Sequence, residues 1–247
     1  MSDSKDFIYF ISDAHLGAPD HAGSLVREKK LVDFLEEIRA TATDLFIMGD
    51  LFDFWFEYKH VVPRGYTRIL GKLAEMSDLG IRIHYFTGNH DIWNFNYLLE
   101  ETGIILYHHP TAMTLGGKQF FLAHGDGLDE SDRTFRFLKN IFTNRFLQWA
   151  FARLHPNLAF GIARRWSRRS RVKHTDNTFH GESEAIIRYS RKHLQNEGYD
   201  YLVFGHRHIP VDYPLTPHTR LIMLGDWITN FSYAVFTGGK MELKKKD

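Results

Sequence analysis

Short apolar runs recur along the chain, and several stop abruptly at a glycine, an acid or a histidine. Phe7 to Ile11, Leu45 to Met48, Arg82 to Phe86, Gln119 to Ala123 and Tyr201 to Phe204 have the length and content of buried strands. Leu31 to Ile38 carries apolar residues at helical spacing, and a second helix is predicted over Thr67 to Met76. Residues from Ile104 to Leu115 read as short strands. The tail from Arg220 to Leu243 reads as antiparallel strands with turns at Gly225-Asp226 and Gly238-Gly239, and Lys244-Lys245-Lys246 as a solvated end. Strands and helices in alternation predict an α/β chain, without internal repeat or low-complexity linker.

The ends of the strand-like runs carry the candidate chemistry. The C-terminal edge of an open α/β sheet is where ligands bind. Gly49 ends the second run, and Asp50 lies just beyond it, where its two oxygens could bridge two cations. A plain Gly-Asp turn is the alternative at that position. After the first run, Asp13 and His15 are two apart, so on an extended strand end they point to one side; a carboxylate with an imidazole suits Mn, Fe or Zn. The third run leads into Gly88-Asn89-His90-Asp91. There Asn89 offers a carbonyl oxygen, His90 could face a substrate, and Asp91 could orient the His90 ring. His124 directly follows the next run, and His206 and His208 follow the last with the same two-residue spacing as Asp13 and His15. Phe52, Phe54, Trp55, Phe56 and Tyr58 read as core residues in preference to a binding wall.

Composition narrows the options. The chain has 247 residues, no cysteine, fifteen histidines, 43% hydrophobic residues and a net charge of +1. Disulfides, thiolate metal sites and cysteine nucleophiles are excluded, so any metal is held by Asp, Asn, Glu or His. The polar start, Met1-Ser2-Asp3-Ser4-Lys5-Asp6, lacks the apolar core of a signal peptide, and no apolar run reaches the roughly 18 residues of a membrane span. A cytoplasmic protein is expected.

One region departs from this balance. From Arg133 to Lys173 there are many Arg and Lys residues but no Asp or Glu, interleaved with aromatic and aliphatic residues such as Leu138, Ile141, Phe142 and Phe146 at helical spacing. It predicts a basic amphipathic helical insertion between the His124 and His206 strands. Three readings compete: a helical layer with solvated basic residues, a binder of anionic lipid or a membrane surface, or a nucleic-acid groove with stacking aromatics. The aromatic load exceeds what phosphate contacts need and favours lipid.

The ordered set Asp-x-His, Gly-Asp-x-x-Asp, Gly-Asn-His-Asp, His and Gly-His-x-His, spanning Ser12 to His208, resembles the calcineurin-like metallophosphoesterases. The resemblance implies one domain over residues 1–247, built of two mixed β-sheets packed as a sandwich and flanked by helices, with a helical cap inserted at about residues 128–180. It implies two divalent ions, one held by Asp13, His15, Asp50 and His208 and the other by Asp50, Asn89, His124 and His206, with Asp53 just behind them. Such a pair neutralises phosphoryl oxygens and activates water at neutral pH. His90, oriented by Asp91, would serve the leaving oxygen.

Within this superfamily, Ser12-Asp13-Ala14-His15-Leu16-Gly17, Gly49-Asp50-Leu51-Phe52-Asp53-Phe54-Trp55 and His124-Gly125-Asp126-Gly127-Leu128, with Asp132 and Phe135-Arg136 after it, look like the UDP-2,3-diacylglucosamine hydrolases of lipid A synthesis. That likeness implies cleavage of the substrate's pyrophosphate to UMP and 2,3-diacylglucosamine 1-phosphate (lipid X), usually with manganese, by a peripheral enzyme at the inner face of the cytoplasmic membrane. Asn89, His90 and His206 would contact substrate beside the ions, and Asp132, Ser167 and Arg171 would do so from the insertion. Many members carry Arg where this chain has His90; Arg stabilises charge but cannot act as an acid. No obligate protein partner is expected, and nucleic acid is not favoured. The rival readings are the same chemistry on another nucleotide, phosphodiester or nucleic acid, and a non-catalytic metal-binding scaffold.

Overall fold

The computed structural model describes residues 6–128, 133–173, 178–195 and 197–246. In chain order the elements are β1 (Ile8–Ile11), α1 (His21–Ile38), β2 (Asp44–Ile47), α2 (Thr67–Asp78), β3 (Arg82–Phe86), α3 (Tyr97–Thr102), β4 (Ile105–Tyr107), β5 (Thr111–Leu115) and β6 (Lys118–Ala123). Three helices follow, α4 (Arg133–Thr143), α5 (Arg145–Phe151) and α6 (Pro156–Lys173). Then come α7 (Ala185–His193), β7 (Tyr201–Phe204), β8 (Pro210–Pro214), β9 (Arg220–Leu224), β10 (Ser232–Thr237) and β11 (Lys240–Lys245).

The strands form two mixed sheets, ordered β11-β10-β1-β2-β3-β4 and β5-β6-β7-β9-β8. β1, β2, β3 and β4 run parallel, as do β6, β7 and β9. Parallel strands buried on both faces explain why these runs are continuously apolar. Alternate side chains serve different layers. Phe10, Phe46 and Phe86 join Phe120, Leu122, Val203 and Ile222 in the core between the sheets, where Phe10 stacks on Phe120 at 6.0 Å. Leu45, Ile47, Ile83 and Tyr85 face Leu31, Phe34, Leu35, Ile69, Leu73 and Leu98 of the helices over the first sheet. Leu202, Phe204 and Leu221 pack on Ile186 and Ile187 of α7 over the second.

Two differences from the sequence reading have clear causes. Helix α1 starts at His21, ten residues before the predicted apolar stretch, with the Asp20 side chain capping Gly23 N. Its first half buries Ser24, Arg27 and Glu28 instead of apolar residues, so hydrophobic spacing cannot reveal it. Each has work to do there. Ser24 accepts from Gly17 N at 2.7 Å, Arg27 donates to the carbonyls of His15 (2.8 Å) and Ala18, and Glu28 accepts from Arg68 N and Ile69 N at the start of α2. The tail is the second. β10 and β11 are an antiparallel hairpin turning at Gly238-Gly239, as expected, but β9 lies in the other sheet, antiparallel to β8 and parallel to β7. Gly225-Asp226 is not a hairpin turn; after it the chain leaves one sheet and enters the other.

The insertion α4–α6 packs on the segment that follows β2. Phe56 meets Phe151 at 4.9 Å, Phe54 meets Phe160 edge-on at 5.2 Å, and Trp93 contacts Phe142 and Phe151 while donating to the Phe142 carbonyl at 2.7 Å. The aromatics after β2 therefore divide: Phe52 and Trp55 are core, whereas Phe54 and Phe56 dock the insertion. Its outer surface is apolar and basic at once. Phe137, Phe146, Leu147, Trp149, Leu158 and Ile162 are exposed, as are Arg145, Arg153 and Arg165. Among the described residues no helix is long and apolar enough to cross a membrane.

Candidate active site

Because the parallel strands of both sheets end at one edge, the loops after β1, β2, β3, β6 and β7 meet there. Backbone hydrogen bonds fasten them: Asp13 N donates to Gly49 O at 3.1 Å, His15 N to Asp50 O at 2.9 Å, and Gly205 N to His124 O at 2.9 Å. The sequence reading placed Asp13 and His15 on an extended strand end and gave His206 and His208 the same spacing. The structure corrects this. Asp13, His15, Asp50, His206 and His208 all have positive φ, between 42° and 66°. Asp and His tolerate this region better than most residues, yet each such residue costs about 1–3 kcal/mol. The fold accepts that strain to turn every one of these side chains toward a common point.

Glycines make room for it. Gly49 has φ +96°, and a Cβ there would lie 2.8 Å from His124 Cγ. A Cβ on Gly205 would lie 2.7 Å from Asp13 Oδ2.

Asp13, Asp50 and His124 are each held from behind by one atom and present the other. Asp13 Oδ2 accepts from His206 N at 2.8 Å, leaving Oδ1 facing His208 Nε2 (3.3 Å) and His15 Nε2 (3.7 Å). Asp50 Oδ1 accepts from His90 N at 2.9 Å, leaving Oδ2 3.6 Å from His15 Nε2 and 3.4 Å from His124 Nε2. His124 Nδ1 donates to Met48 O at 2.7 Å, which leaves Nε2 as its free ligand atom. The Nε2 atoms of His15 and His208 are 3.2 Å apart. Two ligand groups result, Asp13–His15–His208 and Asp50–His124–His206, each with its ligand atoms within 4.8 Å of one another, and Asp50 reaches toward both. A third group, His15–Asp53–His90, places Asp53 Oδ1 3.8 Å from His15 Nδ1 and 3.7 Å from His90 Nδ1.

These residues fit a pair of divalent cations. Ligand atoms bonded to one ion at about 2.0–2.3 Å stand roughly 3–3.7 Å apart, the spacing found among Asp13, His15 and His208 and between Asp50 and His124. Asp13 Oδ1, Asn89 Oδ1 and His124 Nε2 are buried without a hydrogen bond, an unusual state for polar atoms unless an ion completes it. Electrostatics agree. Burial works against ionising Asp13 and Asp50, but the surrounding histidines together outweigh it, His208 foremost at Asp13 and His124 foremost at Asp50, so both carboxyls lie well below the usual range. Burial likewise opposes a charge on His208, yet Asp13 and Asp226 lift it to about 10, and Asp50 lifts His124. The buried carboxylates call for positive charge, and protons on His208 and His124 supply it until a cation displaces them. Imidazole nitrogens with few carboxylates match a transition metal better than calcium.

The expected partnership of His90 and Asp91 is not formed. Asp91 is buried and accepts from Gly88 N at 2.8 Å, Phe52 N at 3.4 Å and the Tyr85 hydroxyl, so it braces the turn instead. Burial, with Asp50 nearby, raises it to about 6. His90 is held by Asp53 and Ser167: its Nδ1 donates to the Asp53 carbonyl at 3.0 Å and lies 3.3 Å from Ser167 Oγ. Ser167 is buried and donates to Asp53 Oδ1 at 2.8 Å, which joins α6 to the loop after β2. Burial lowers His90 and His206 to about 4 each. Asp132 lies outside the described residues; Arg171 lies on α6, and its side chain is also outside them.

A sixth strand end was read only as a turn. Asp226, after β9, faces His208 Nδ1 at 3.4 Å. The signal was present, since four apolar residues followed by Gly225-Asp226 repeat the pattern that precedes Asp50.

The family model for calcineurin-like phosphoesterases matches residues 8–210. The chain is 42% identical over 256 residues to a UDP-2,3-diacylglucosamine hydrolase of Porphyromonas gingivalis, covering 97% of each. It is 30% identical to a protein of the same name from Aeromonas salmonicida, covering 96% of this chain and 92% of that one. A solved archaeal phosphodiesterase is 13% identical with a TM-score of 0.48, covering 96% of this chain and 98% of that one. The chain belongs to the calcineurin-like phosphoesterase family.

Proposed function

We propose that the chain hydrolyses the pyrophosphate of UDP-2,3-diacylglucosamine to UMP and 2,3-diacylglucosamine 1-phosphate, using two manganese ions, at the inner face of the cytoplasmic membrane. Asp13, His15, Asp50 and His208 hold one ion, and Asp50, Asn89, His124 and His206 the other. The observation that carries the chemistry is Asp50 Oδ2, which lies within 3.6 Å of a histidine nitrogen from each ligand group. The substrate is inferred from the Porphyromonas gingivalis relative, matched over 97% of both chains.

When bound, two such ions neutralise phosphoryl oxygens and make water a nucleophile at neutral pH. The chain's own residues do the rest. Asp13 and Asp50 supply the fixed negative charge, and the histidine rings are pre-aimed, so binding spends little on reorganisation. With Nδ1 donating to Asp53 O, His90 keeps Nε2 for the substrate. Burial keeps that ring neutral at rest, and it would become charged by taking at Nε2 the proton that the attacking water gives up, beside the departing phosphoryl oxygen. The departing phosphate monoester is a weak base and asks for no more.

The insertion supports a lipid substrate and peripheral membrane attachment. On α5, Phe146 is 70% and Trp149 54% exposed, the two rings stack at 5.8 Å, and the Arg153 guanidinium sits 4.9 Å from the Trp149 ring. An aromatic surface edged by arginine suits the boundary of an anionic bilayer. The test is hydrolysis of detergent-dispersed UDP-2,3-diacylglucosamine against single-stranded DNA in one manganese assay. Release of UMP, abolished by chelator and restored by Mn2+, is expected. Cleavage of DNA alone overturns the substrate, and two bound ions with no turnover on any phosphoester overturn the enzyme.

A further inference from the structure

We propose that Asp226 is a positioning residue that sets the affinity of one half of the metal site by orienting His208. The inference rests on the two-ion reading above. Asp226 sits in the loop between β9 and β10, outside the motifs that carry the ligands.

Its carboxylate is divided between two tasks. Oδ1 accepts from three successive backbone groups, Ile228 N at 3.0 Å, Thr229 N at 2.8 Å and Asn230 N at 2.8 Å. Three amide donors hold the group as an anion in one orientation. Oδ2 faces His208 Nδ1 at 3.4 Å and also accepts from the Thr229 hydroxyl of the same loop at 3.2 Å. A carboxylate there holds a proton on Nδ1, so Nε2 is the nitrogen turned toward Asp13 Oδ1 and the one available to an ion.

The same loop grips the site at two further points. Asn230 Nδ2 donates to the His208 carbonyl at 2.9 Å, and Trp227 N donates to the Asp13 carbonyl at 3.1 Å. Trp227 itself is fully buried and packs on Phe34 at 4.9 Å, so the loop is anchored in the core. His208 needs such support. Its φ is +55°, and it is the more open of the ligand rings in its group, with 26% of its side chain exposed against 2% for His15. His124 is oriented instead by Met48 O, far from this loop. The two halves of the site therefore have separate supports, and removing one should be felt on one side.

The test uses the full chain, stripped by chelator and titrated with Mn2+ by calorimetry and by electron paramagnetic resonance. The unaltered protein is expected to bind two ions and give the signal of a spin-coupled pair. In Asp226→Asn the side-chain oxygen still accepts from the three amides, so the loop persists while the carboxylate facing His208 is lost. One binding step should weaken about 10–100-fold, the usual cost of losing an outer support of a metal ligand, and the other by less than about threefold. The coupled signal should give way to that of an isolated ion at substoichiometric Mn2+. Asp226→Ala should match it in binding and melt at a lower temperature because the amides lose their acceptor. If Asp226→Ala does not fold, Asp226→Asn decides alone. Unchanged affinities in Asp226→Asn, or equal weakening of both, overturn the inference. An unaltered protein that binds no pair of ions overturns the two-ion reading, and this inference with it.

Discussion

Gly49→Ala is the substitution whose cost can be followed most directly from the geometry. Gly49 has φ +96°, a region that L-residues rarely enter, and an added methyl would sit 2.8 Å from His124 Cγ and 3.0 Å from Gly88 N. Comfortable carbon contacts are about 3.5–4.0 Å. The backbone strain is worth about 1–2 kcal/mol, and forcing a methyl into a packed site about 1–3 kcal/mol. Together they predict a loss of about 2–5 kcal/mol. For a chain of this size each kcal/mol moves the midpoint by about 2–4 °C, so Tm should fall by about 4–20 °C. Gly65 separates the two effects: its φ is +109°, but nothing lies within 4 Å of its added Cβ. Gly65→Ala should show the strain alone, about 1–2 kcal/mol. Thermal unfolding followed by circular dichroism measures both. Because the methyl must displace His124, Gly49→Ala should also weaken Mn2+ binding. Equal Tm losses in the two variants, with both Mn2+ steps intact, would refute the contact argument.

Three further outcomes are expected. His90→Ala should lower kcat by about 10²–10⁴, whereas His90→Arg should recover much of it if charge beside the leaving oxygen is all that is needed; a loss under threefold in His90→Ala removes the residue from the reaction. Burial works against the Asp44 carboxylate, but hydrogen bonds from His84 and Arg82 outweigh this and hold its pKa at about 2 against an ordinary 3.8. A depressed acid stabilises fully above its unfolded pKa and loses that contribution as pH falls through the folded one. Asp44→Asn should therefore cost about 1–2 kcal/mol at pH 7, after allowing for screening at exposed Arg82, and flatten the fall in stability between about pH 4 and 2; an unchanged slope in chemical denaturation sinks this. Phe146→Glu with Trp149→Glu should cut sedimentation with anionic phospholipid vesicles at least about tenfold while leaving hydrolysis of a soluble phosphodiester within about threefold. Unaltered vesicle binding would remove α5 from the membrane contact.

The strands around the site were legible because both faces of each are buried, and that constraint writes itself into consecutive residues such as Leu45, Phe46 and Ile47. Parallel strands finish at one edge, so polar residues just after them were expected to meet, and Asp13, His15, Asp50, His124, His206 and His208 do. The first half of α1 was not legible. Its inward face is Ser24, Arg27 and Glu28, apolar by neither type nor spacing, and it is stable because their partners lie on other loops. The same limit applied to Asp91, whose donors at Phe52 and Tyr85 no local pattern indicates.

The sequence by itself determined which side chains gather and the edge on which they do so, because strand burial and residue chemistry are local properties. Only the tertiary structure decided which way each group points. Left-handed φ at five of the site residues, the Asp53 and Ser167 hold on His90, and the approach of Asp226 to His208 all depend on atoms brought together from distant segments. A strained backbone angle or a choice of hydrogen-bond partner is settled by the surrounding packing, which a residue's neighbours in the chain do not supply.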